Sequence, residues 1–273
     1  MNASPLRPTA AAPPPSSSPE RVSGERVGAV LADVAAIGPW FAVPTPAAAG
    51  SVRWDALYDP PVPGRPDPLG TRIDEVATAL GGDRRVGASV AVMGLAARIV
   101  SMPFAAVALH GVLPSPGELR RDPGADDPWA PGLPGGAGGV ATPDVADDPA
   151  AAADLLARAL ADTHLEPLYA AVTARAVVSP RVLRGNVVSS IAGAARVMEA
   201  VRRPDRRRYL ALLDALADHP ALRGPLPSGA TGRLVRLDDD PDTEWAFRRR
   251  SCCLYVRAPG GGTCGDCVLA GRA

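Results

Sequence analysis

Large aromatic side chains and lysine are what this sequence lacks most clearly. Only 4% of its 273 residues are Phe, Trp or Tyr although 47% are hydrophobic, and every basic residue is an arginine. A core with so few aromatic rings must be built mostly from Ala, Val and Leu. Such small and medium side chains suit closely packed helices, so the composition favours a mainly helical protein.

An excess of charge is also missing, because 29 basic residues balance 29 acidic ones. Nucleic-acid-binding proteins normally carry a basic excess, so the balance argues against that class. The N-terminal stretch MNASPLRPTAAAPPPSSSPE lacks the apolar run of a secretory signal. We therefore expect a cytoplasmic protein in a reducing compartment, where clustered cysteines more often bind metals or do redox chemistry than form disulfides.

Two kinds of catalytic signature are absent as well. No nicotinamide- or flavin-binding glycine fingerprint follows a plausible strand, and no Ser/His/Asp constellation is evident. One long apolar stretch, from Val86 to Pro114, has the length of a membrane span, but Arg98 lies near its middle. A charge at that depth is costly in a bilayer, so we predict a buried core helix and no integral membrane segment.

The pattern along the chain predicts a mainly α (α+β) fold, with a helical body and a small C-terminal loop- and strand-rich segment. We expect a disordered tail over 1–22 and a mainly helical region over 23–112. A Pro/Gly-rich connection over 113–147 leads to a second helical region over 148–227. The C-terminal segment, which contains all four cysteines of the chain, would then occupy 228–273.

Proline and capping residues mark several element boundaries. Asp148-Pro149 and Ser179-Pro180 predict helix starts, because Asp and Ser cap helices and proline fits the first turn. Pro103 predicts a bend or end in the helix that begins at Arg84, and Pro167 predicts a break or kink. Two stretches have strand composition, RLVRLDD and CLYVR.

All four cysteines lie close to the C-terminus, in the pattern C-C-x10-C-x2-C: Cys252, Cys253, Cys264 and Cys267. Four thiolates are the ligand count of a structural zinc ion or an iron–sulfur cluster. Zinc sites favour two C-x(2–4)-C pairs, whereas adjacent cysteines project in opposite directions in an extended strand. The adjacent pair therefore favours a two-iron cluster, with zinc and a redox dithiol or disulfide left as alternatives.

A two-iron cluster suggests how the four ligands divide. Our hypothesis is that Cys264 and Cys267 hold one iron while Cys252 and Cys253 hold the other. Gly265, between the first pair, would permit a tight turn.

The stretch RRRSCCLYVRAPGGGTCGDCVL resembles the C-terminal signature of the FhuF-type ferric-siderophore reductases. That family is marked by C-C-x10-C-x2-C, often with a preceding arginine and a CGDC knuckle. HLEPLYAAV and SPRVLRGNVVSSI also resemble the family's helical region, with Asn186 at a recurring Gly-Asn step. Arg184 precedes this step, where a bulky apolar or aromatic residue is expected. The resemblance covers the chain from about residue 150 onward.

The resemblance implies a [2Fe-2S] cofactor bound by the four cysteines, which would also be the metal ligands. It implies an oxidoreductase of iron homeostasis that reduces a cytoplasmic ferric siderophore, of the hydroxamate type above all, and so releases iron. Because no nicotinamide or flavin motif is present, we expect electrons from a ferredoxin, a flavodoxin or a reductase. Two other functions stay open: a zinc-stabilised siderophore-binding or interaction protein without enzymatic activity, and a ferredoxin-like electron carrier.

Four further residues near the cysteines are candidates for contacts with substrate or electron donor: Arg248, Arg249, Arg250 and Tyr255. The three arginines could steer an acidic donor or an anionic chelate, and Tyr255 could contact the chelate or shield the cluster. The plainer interpretation is a solvated basic run beside a packed aromatic ring. We expect Asn186 to have a structural role.

Overall fold

The computed structural model describes residues 19–236 and 244–269. The tail predicted for residues 1–22 lies almost entirely outside this range. The predicted boundaries at 22/23, 147/148 and 227/228 fall between elements whose bounds are given below, whereas the boundary at 112/113 falls inside the short strand Val112–Pro114.

Helices make up most of the described chain, as the composition predicts. Their bounds are α1 (Gly24–Ala35), α2 (Pro68–Ala79), α3 (Arg84–His110), α4 (Pro149–Leu160), α5 (Glu166–Thr173), α6 (Pro180–Val201), α7 (Arg206–Ala217) and α8 (Pro220–Arg223). The strands are short: β1 (Arg21–Val22), β2 (Val52–Arg53), β3 (Val112–Pro114), β4 (Arg120–Arg121), β5 (Pro131–Gly132), β6 (Gly139–Ala141), β7 (Gly232–Arg236) and β8 (Trp245–Arg249). A mainly α fold with a small C-terminal strand segment is thus confirmed.

The capping residues act as the sequence predicts. The carboxylate of Asp148 accepts a hydrogen bond from the backbone N–H of Ala151 at 2.9 Å, and Pro149 opens α4. The hydroxyl of Ser179 accepts from the N–H of Arg181 at 3.3 Å at the start of α6. Each cap satisfies a backbone donor that the helix itself leaves unpaired.

Helix α3 is the centre of the core and packs along α6. By length and composition it is the one helix among the described residues that could cross a membrane, but 72% of its most apolar window is buried inside the protein. Pro103 lies within this helix rather than ending it, and α3 continues to His110. The residues beyond Pro103 are almost fully buried from Phe104 to Ala108, and this burial compensates for the backbone hydrogen bond that proline cannot donate.

Pro167 marks a break that takes the form of a wider helical turn. Between α4 and α5 the backbone forms a π-helical turn over Ala161–Leu165, and Pro167 lies in the first turn of α5. His164 is buried in the wider turn, where it is hydrogen-bonded to the hydroxyl of Tyr58 and to the carbonyl oxygen of Pro116. The continuous helical pattern of this region is therefore interrupted where the proline predicts it.

The strands form small antiparallel sheets. One has the order β1-β6-β3, another β2-β4-β5, and β7 pairs with β8 so that Leu234 lies opposite Phe247. Of the predicted strand RLVRLDD, RLVR lies in β7, and the last three residues lie outside the described residues. The strand predicted for CLYVR is wrong. Leu254 has a left-handed backbone with φ of 70°, and Tyr255–Arg257 form a single 3-10 turn, so the chain bends directly after the adjacent cysteines.

Candidate metal centre

Residues 250–269, which follow β8 and which we call the cysteine segment, lie across α3 and α6. The hydroxyl of Ser89 in α3 donates a hydrogen bond to the carbonyl oxygen of Cys253 at 2.6 Å. The hydroxyl of Ser251 donates to the carbonyl oxygen of Arg181 in α6 at 3.0 Å. Both contacts fix the backbone on either side of Cys252, so the helical body positions the first pair of thiols.

The cysteine segment comes close to α6 at the Gly185-Asn186 step. A Cβ atom on Gly185 would lie 2.3 Å from the hydroxyl oxygen of Ser251, so only glycine leaves room for the segment. Asn186 is fully buried, and its Nδ2 donates to the carbonyl oxygen of Ser89 at 2.7 Å. Its Oδ1 accepts a hydrogen bond from Arg249. Asn186 thus joins α3, α6 and the end of β8, which is the structural role predicted for it.

Asp266, inside the CGDC knuckle, anchors the second pair of thiols. It is 4% exposed, and its carboxylate accepts hydrogen bonds from the hydroxyl of Ser189 and from the guanidinium of Arg196, both in α6. The sequence predicted no role for the side chain of Asp266. Its position between Cys264 and Cys267 was the available signal, because a charged residue there must either face solvent or find a partner.

The four thiols differ in exposure. Cys253 and Cys267 are buried, with 3% and 4% of their surface exposed, whereas Cys252 and Cys264 are half-buried. All four are free, so none is consumed in a disulfide. The site therefore has a buried side against the helices and a side that faces outward.

The sulfurs of Cys253 and Cys264 lie 3.9 Å apart. Two thiolates on one tetrahedral metal ion, with metal–sulfur bonds of about 2.3 Å, are ~3.8 Å apart, so this pair has the spacing of ligands to one metal. The pair joins the two halves of the motif, which differs from the pairing hypothesised within each half. Within the described ranges, no three Cys, His, Asp or Glu side chains form a ready-made set of ligands for a metal ion.

The thiol of Cys253 is poised to be a thiolate. A hydrogen bond from the Cys264 thiol lowers the pKa of Cys253, and the backbone N–H of Tyr255 and the charge of Arg249 act in the same direction against burial. The same hydrogen bond raises the pKa of Cys264, so the two thiols share one proton. Thiolates are the form that binds metal ions, so binding a metal would release the shared proton.

Backbone amides also point at sulfur. The N–H of Leu254 donates to the sulfur of Cys252 at 3.3 Å, and the N–H of Leu269 donates to that of Cys267 at 3.4 Å. In the second pair, the N–H of Cys267 donates to the carbonyl oxygen of Cys264 at 2.9 Å, which closes a turn. Amide donors to sulfur stabilise bound thiolates and tune the potential of iron–sulfur centres.

The three consecutive arginines do not form one solvated run. Arg250 is exposed and Arg248 is half-buried, but Arg249 is only 2% exposed because successive side chains of β8 point to opposite faces. Its guanidinium contacts Asn186 and lies 3.5 Å from the sulfur of Met93. Burial lowers the pKa of Arg249, whereas its attraction to all four cysteine sulfurs raises it. Tyr255, by contrast, is 36% exposed.

The contacts of Arg184 account for an arginine at a position where an apolar or aromatic residue is expected. Its guanidinium forms two hydrogen bonds to the carboxylate of Glu166, at 2.7 and 2.8 Å, and lies 4.7 Å from the ring centre of Tyr169. It also donates to the carbonyl oxygen of Leu222. These contacts tie α5, α6 and α8 together, away from the thiols.

The arrangement fits an iron–sulfur cluster. It offers four free thiols, one pair at ligand spacing, amide donors to sulfur and a buried cation that offsets the negative charge of thiolates. Comparison with known families agrees, because residues 249–269 match the family model described as FhuF 2Fe-2S C-terminal domain. The cofactor of this segment is therefore a [2Fe-2S] cluster.

The match begins at Arg249, includes all four cysteines and ends before the C-terminus. It identifies the cysteine segment but not the helical body. No significant match to the chain is found among curated proteins or solved structures.

Proposed function

We propose that Cys252, Cys253, Cys264 and Cys267 ligate the [2Fe-2S] cluster and that the protein reduces ferric siderophores in the cytoplasm to release iron. The observation that carries this proposal is the match of the cysteine segment to the FhuF 2Fe-2S C-terminal domain. The four free thiols and the nearby buried guanidinium of Arg249 support it.

One electron is enough for the reaction. Siderophores hold Fe(III) through hard oxygen ligands and hold Fe(II) far less tightly, so reduction turns a tight complex into a labile one. When bound, the cluster supplies one electron at a time. The products are Fe(II) and the free chelator, and the electron is replaced by a separate donor.

The residues of the segment hold the reducing centre in place and leave one side accessible. Half-buried Cys252 and Cys264 lie on the outward side, which is where a bulky chelate can approach. Arg249 places a positive charge on the inward side, where it favours accumulation of negative charge at the thiolates. The contacts of Ser89 and Asp266 keep both halves of the motif against the helices.

A hydroxamate chelate suits this centre better than a catecholate chelate. Three singly charged hydroxamates neutralise Fe(III), whereas three doubly charged catecholates leave three negative charges. A reducing centre built on four thiolates is itself negative, and like charges held close together repel. The neutral chelate can therefore approach at a lower electrostatic cost.

The electron donor is proposed to be a ferredoxin, a flavodoxin or a reductase. Exposed Arg250 and Arg257 lie beside the cysteines, together with the partly exposed apolar side chains of Tyr255 and Val256. A basic and apolar surface of this kind suits an acidic donor protein, because opposite charges speed association.

The decisive experiment is a single turnover without oxygen. The protein is reduced with dithionite, separated from excess reductant and mixed with a ferric tris-hydroxamate in the presence of an Fe(II)-specific dye. We expect the visible absorption of the oxidised cluster to return as the Fe(II)–dye complex forms, in equal amounts. A reduced protein that stays reduced in the presence of the chelate would contradict the reductase function and leave the electron carrier as the better interpretation.

The matched control is Val256→Ser, which changes an exposed residue of the same segment and should turn over as the unmodified protein does. Cys253→Ser should give no turnover because a ligand is lost. A colourless preparation that contains zinc would instead support the non-enzymatic binding protein.

A further inference from the structure

A cavity of about 510 Å³ opens directly beside the cysteine segment. Its long walls are α3 and α6, and its end wall is the Cys264-Gly265-Asp266 turn. The side chain of Trp40 lies at its edge and is 42% exposed. A ligand in this cavity would therefore lie against the backbone that carries one of the half-buried thiols.

We propose that this cavity is the binding site for the ferric hydroxamate of the proposed function, and that its apolar walls receive the aliphatic spacers of the chelate. The inference rests on the proposed function, since it names where and in what form the substrate binds. A site in this place puts the iron of the chelate next to the reducing centre without a change in the fold.

The lining of the cavity matches aliphatic spacers. Most of it is apolar side chain from the two helices, with Val90, Met93 and Ala97 on α3 and Ala194 and Val197 on α6. Apolar surface that leaves water contributes about 25 cal/mol per Å². The methylene chains of an aliphatic trihydroxamate can gain this contribution here, whereas a highly charged ligand cannot.

The charged groups of the cavity are already paired. Arg196 is bonded to Asp266 at the end wall, so their charges offset each other, and Asp266 also accepts a hydrogen bond from Ser189. Arg72 at the rim lies 3.5 Å from Glu75. Because no strong net charge faces the cavity from these groups, the site favours a neutral ligand over a trianionic one.

Two glycines leave room for a ligand in the cavity. Gly94 in α3 and Gly193 in α6 both line the cavity, and a Cβ atom on either would meet nothing within 4 Å. Glycine inside a helix costs roughly 1 kcal/mol relative to alanine, and here no close packing requires it. Gly28 in α1 is equally open but lies outside the cavity, which makes it a matched control.

The test uses the holoprotein and a substrate analogue that accepts no electron. Binding of the Ga(III) complex of a linear aliphatic trihydroxamate is measured by calorimetry for the unmodified protein, Gly94→Leu, Gly193→Leu and Gly28→Leu. We expect each cavity variant to bind at least tenfold more weakly and Gly28→Leu to bind as the unmodified protein does. Cluster absorption and reduction potential should be the same in all four proteins.

Two results would overturn the inference: no binding by the unmodified protein, or unchanged affinity in both cavity variants. Binding of a Ga(III) tris-catecholate as tight as that of the hydroxamate would overturn the choice of a neutral chelate. Val197→Trp provides a third cavity variant at a side chain that is 38% exposed, in case a leucine variant fails to fold.

The binding measurement and the single-turnover measurement together distinguish a wrong binding site from a wrong activity. If the unmodified protein binds the Ga(III) chelate in this cavity but its reduced form does not reduce the Fe(III) chelate, the proposed function fails and the binding site stands. If the reduced protein reduces the chelate while the leucine variants bind normally, the cavity is wrong and the function stands.

Discussion

The helical body and the cysteine segment are held together by different forces. In the body, α3 and α6 meet through apolar side chains, and Ile99, Val187 and Ile191 are at most 1% exposed. The cysteine segment has little regular structure. Leu254 and Ala258 join the core, but the contacts that position the two pairs of thiols are polar, from Ser251 and Asp266 to α6. Apolar burial holds the body whatever the state of the thiols, whereas the segment depends on a few directed bonds and on its cofactor.

Replacement of one proposed cysteine ligand should distinguish the cysteine segment from the helical body most clearly. In Cys253→Ser we expect complete loss of the cluster, because the serine hydroxyl is a poor substitute for a thiolate with a lowered pKa. The far-UV circular dichroism should keep its helical signal, while hydrogen exchange in residues 250–269 should become much faster. Amides in the middle of α3 and α6 should remain protected.

The control for this variant is Val256→Ser, which should keep both the cluster and the slow exchange of the segment. If exchange rises throughout α3 and α6 in Cys253→Ser, the body depends on the cofactor, and the proposed independence of the two regions is wrong.

Removal of one anchoring charge should have the next largest effect. Asp266→Asn keeps the size of the side chain but removes the ion pair with Arg196 and weakens the bond from Ser189. Hydrogen bonds to charged groups contribute about 1.5–3 kcal/mol, and the partial exposure of Arg196 reduces this toward the lower end. We therefore expect an iron chelator to strip the cluster about tenfold faster, measured as bleaching of its visible absorption.

Asp214 is exposed on α7 and provides the matched substitution Asp214→Asn, which should leave the rate of bleaching unchanged. Equal rates for Asp266→Asn and the unmodified protein would show that the knuckle is held by its thiols alone.

The buried guanidinium should tune the potential of the cluster. Two unit charges ~8 Å apart at an effective dielectric constant of about 20 interact by about 2 kcal/mol, which corresponds to a shift on the order of 100 mV for one electron. Arg249→Gln should lower the reduction potential by this order, because reduction adds negative charge beside it. Arg249→Lys, which keeps the charge, should lower it much less. Voltammetry of the two variants checks the difference.

Exposed Arg250 supplies the control Arg250→Gln, for which solvent screening should keep the shift small. If Arg249→Gln and Arg249→Lys shift the potential equally, the effect comes from the packing of the side chain against Asn186 and not from its charge.

The features that could be predicted from the sequence are those that depend on neighbours along the chain. Proline and capping residues gave the starts of α4 and α6, and the cysteine spacing together with the family resemblance gave the cofactor. Pro103 was predicted to bend or end α3; the helix does not end there, because burial of the following turn offsets one lost hydrogen bond. The error at CLYVR arose because strand composition does not reveal the left-handed residue at Leu254.

The features that could not be predicted depend on contacts between distant parts of the chain. Arg249 looks like part of a solvated run until β8 pairs with β7 and turns its side chain toward Asn186. Asp266 gains its role only from Ser189 and Arg196, which lie some seventy residues earlier. The two glycines of the cavity become meaningful only when α3 and α6 are placed side by side.

The smallest expected effect comes from a change confined to the body. Gly87 in α3 lies where α2 crosses it, and a Cβ atom there would lie 2.6 Å from both the Cβ of Ala77 and the carbonyl oxygen of Ile73. Gly87→Ala should therefore push the two helices apart and lower the free energy of unfolding by about 1–3 kcal/mol. Thermal melting followed by circular dichroism measures this loss, with Gly28→Ala as a control that should be neutral or slightly stabilising. The added methyl group would face Ile73 and Ala77 of α2, and none of the contacts that position the thiols comes from these two residues. The reduction potential and the rate of chelator bleaching in Gly87→Ala should therefore match those of the unmodified protein below its melting temperature. A shifted potential would mean that strain in the body reaches the thiols, and the two regions would then have to be treated as one unit.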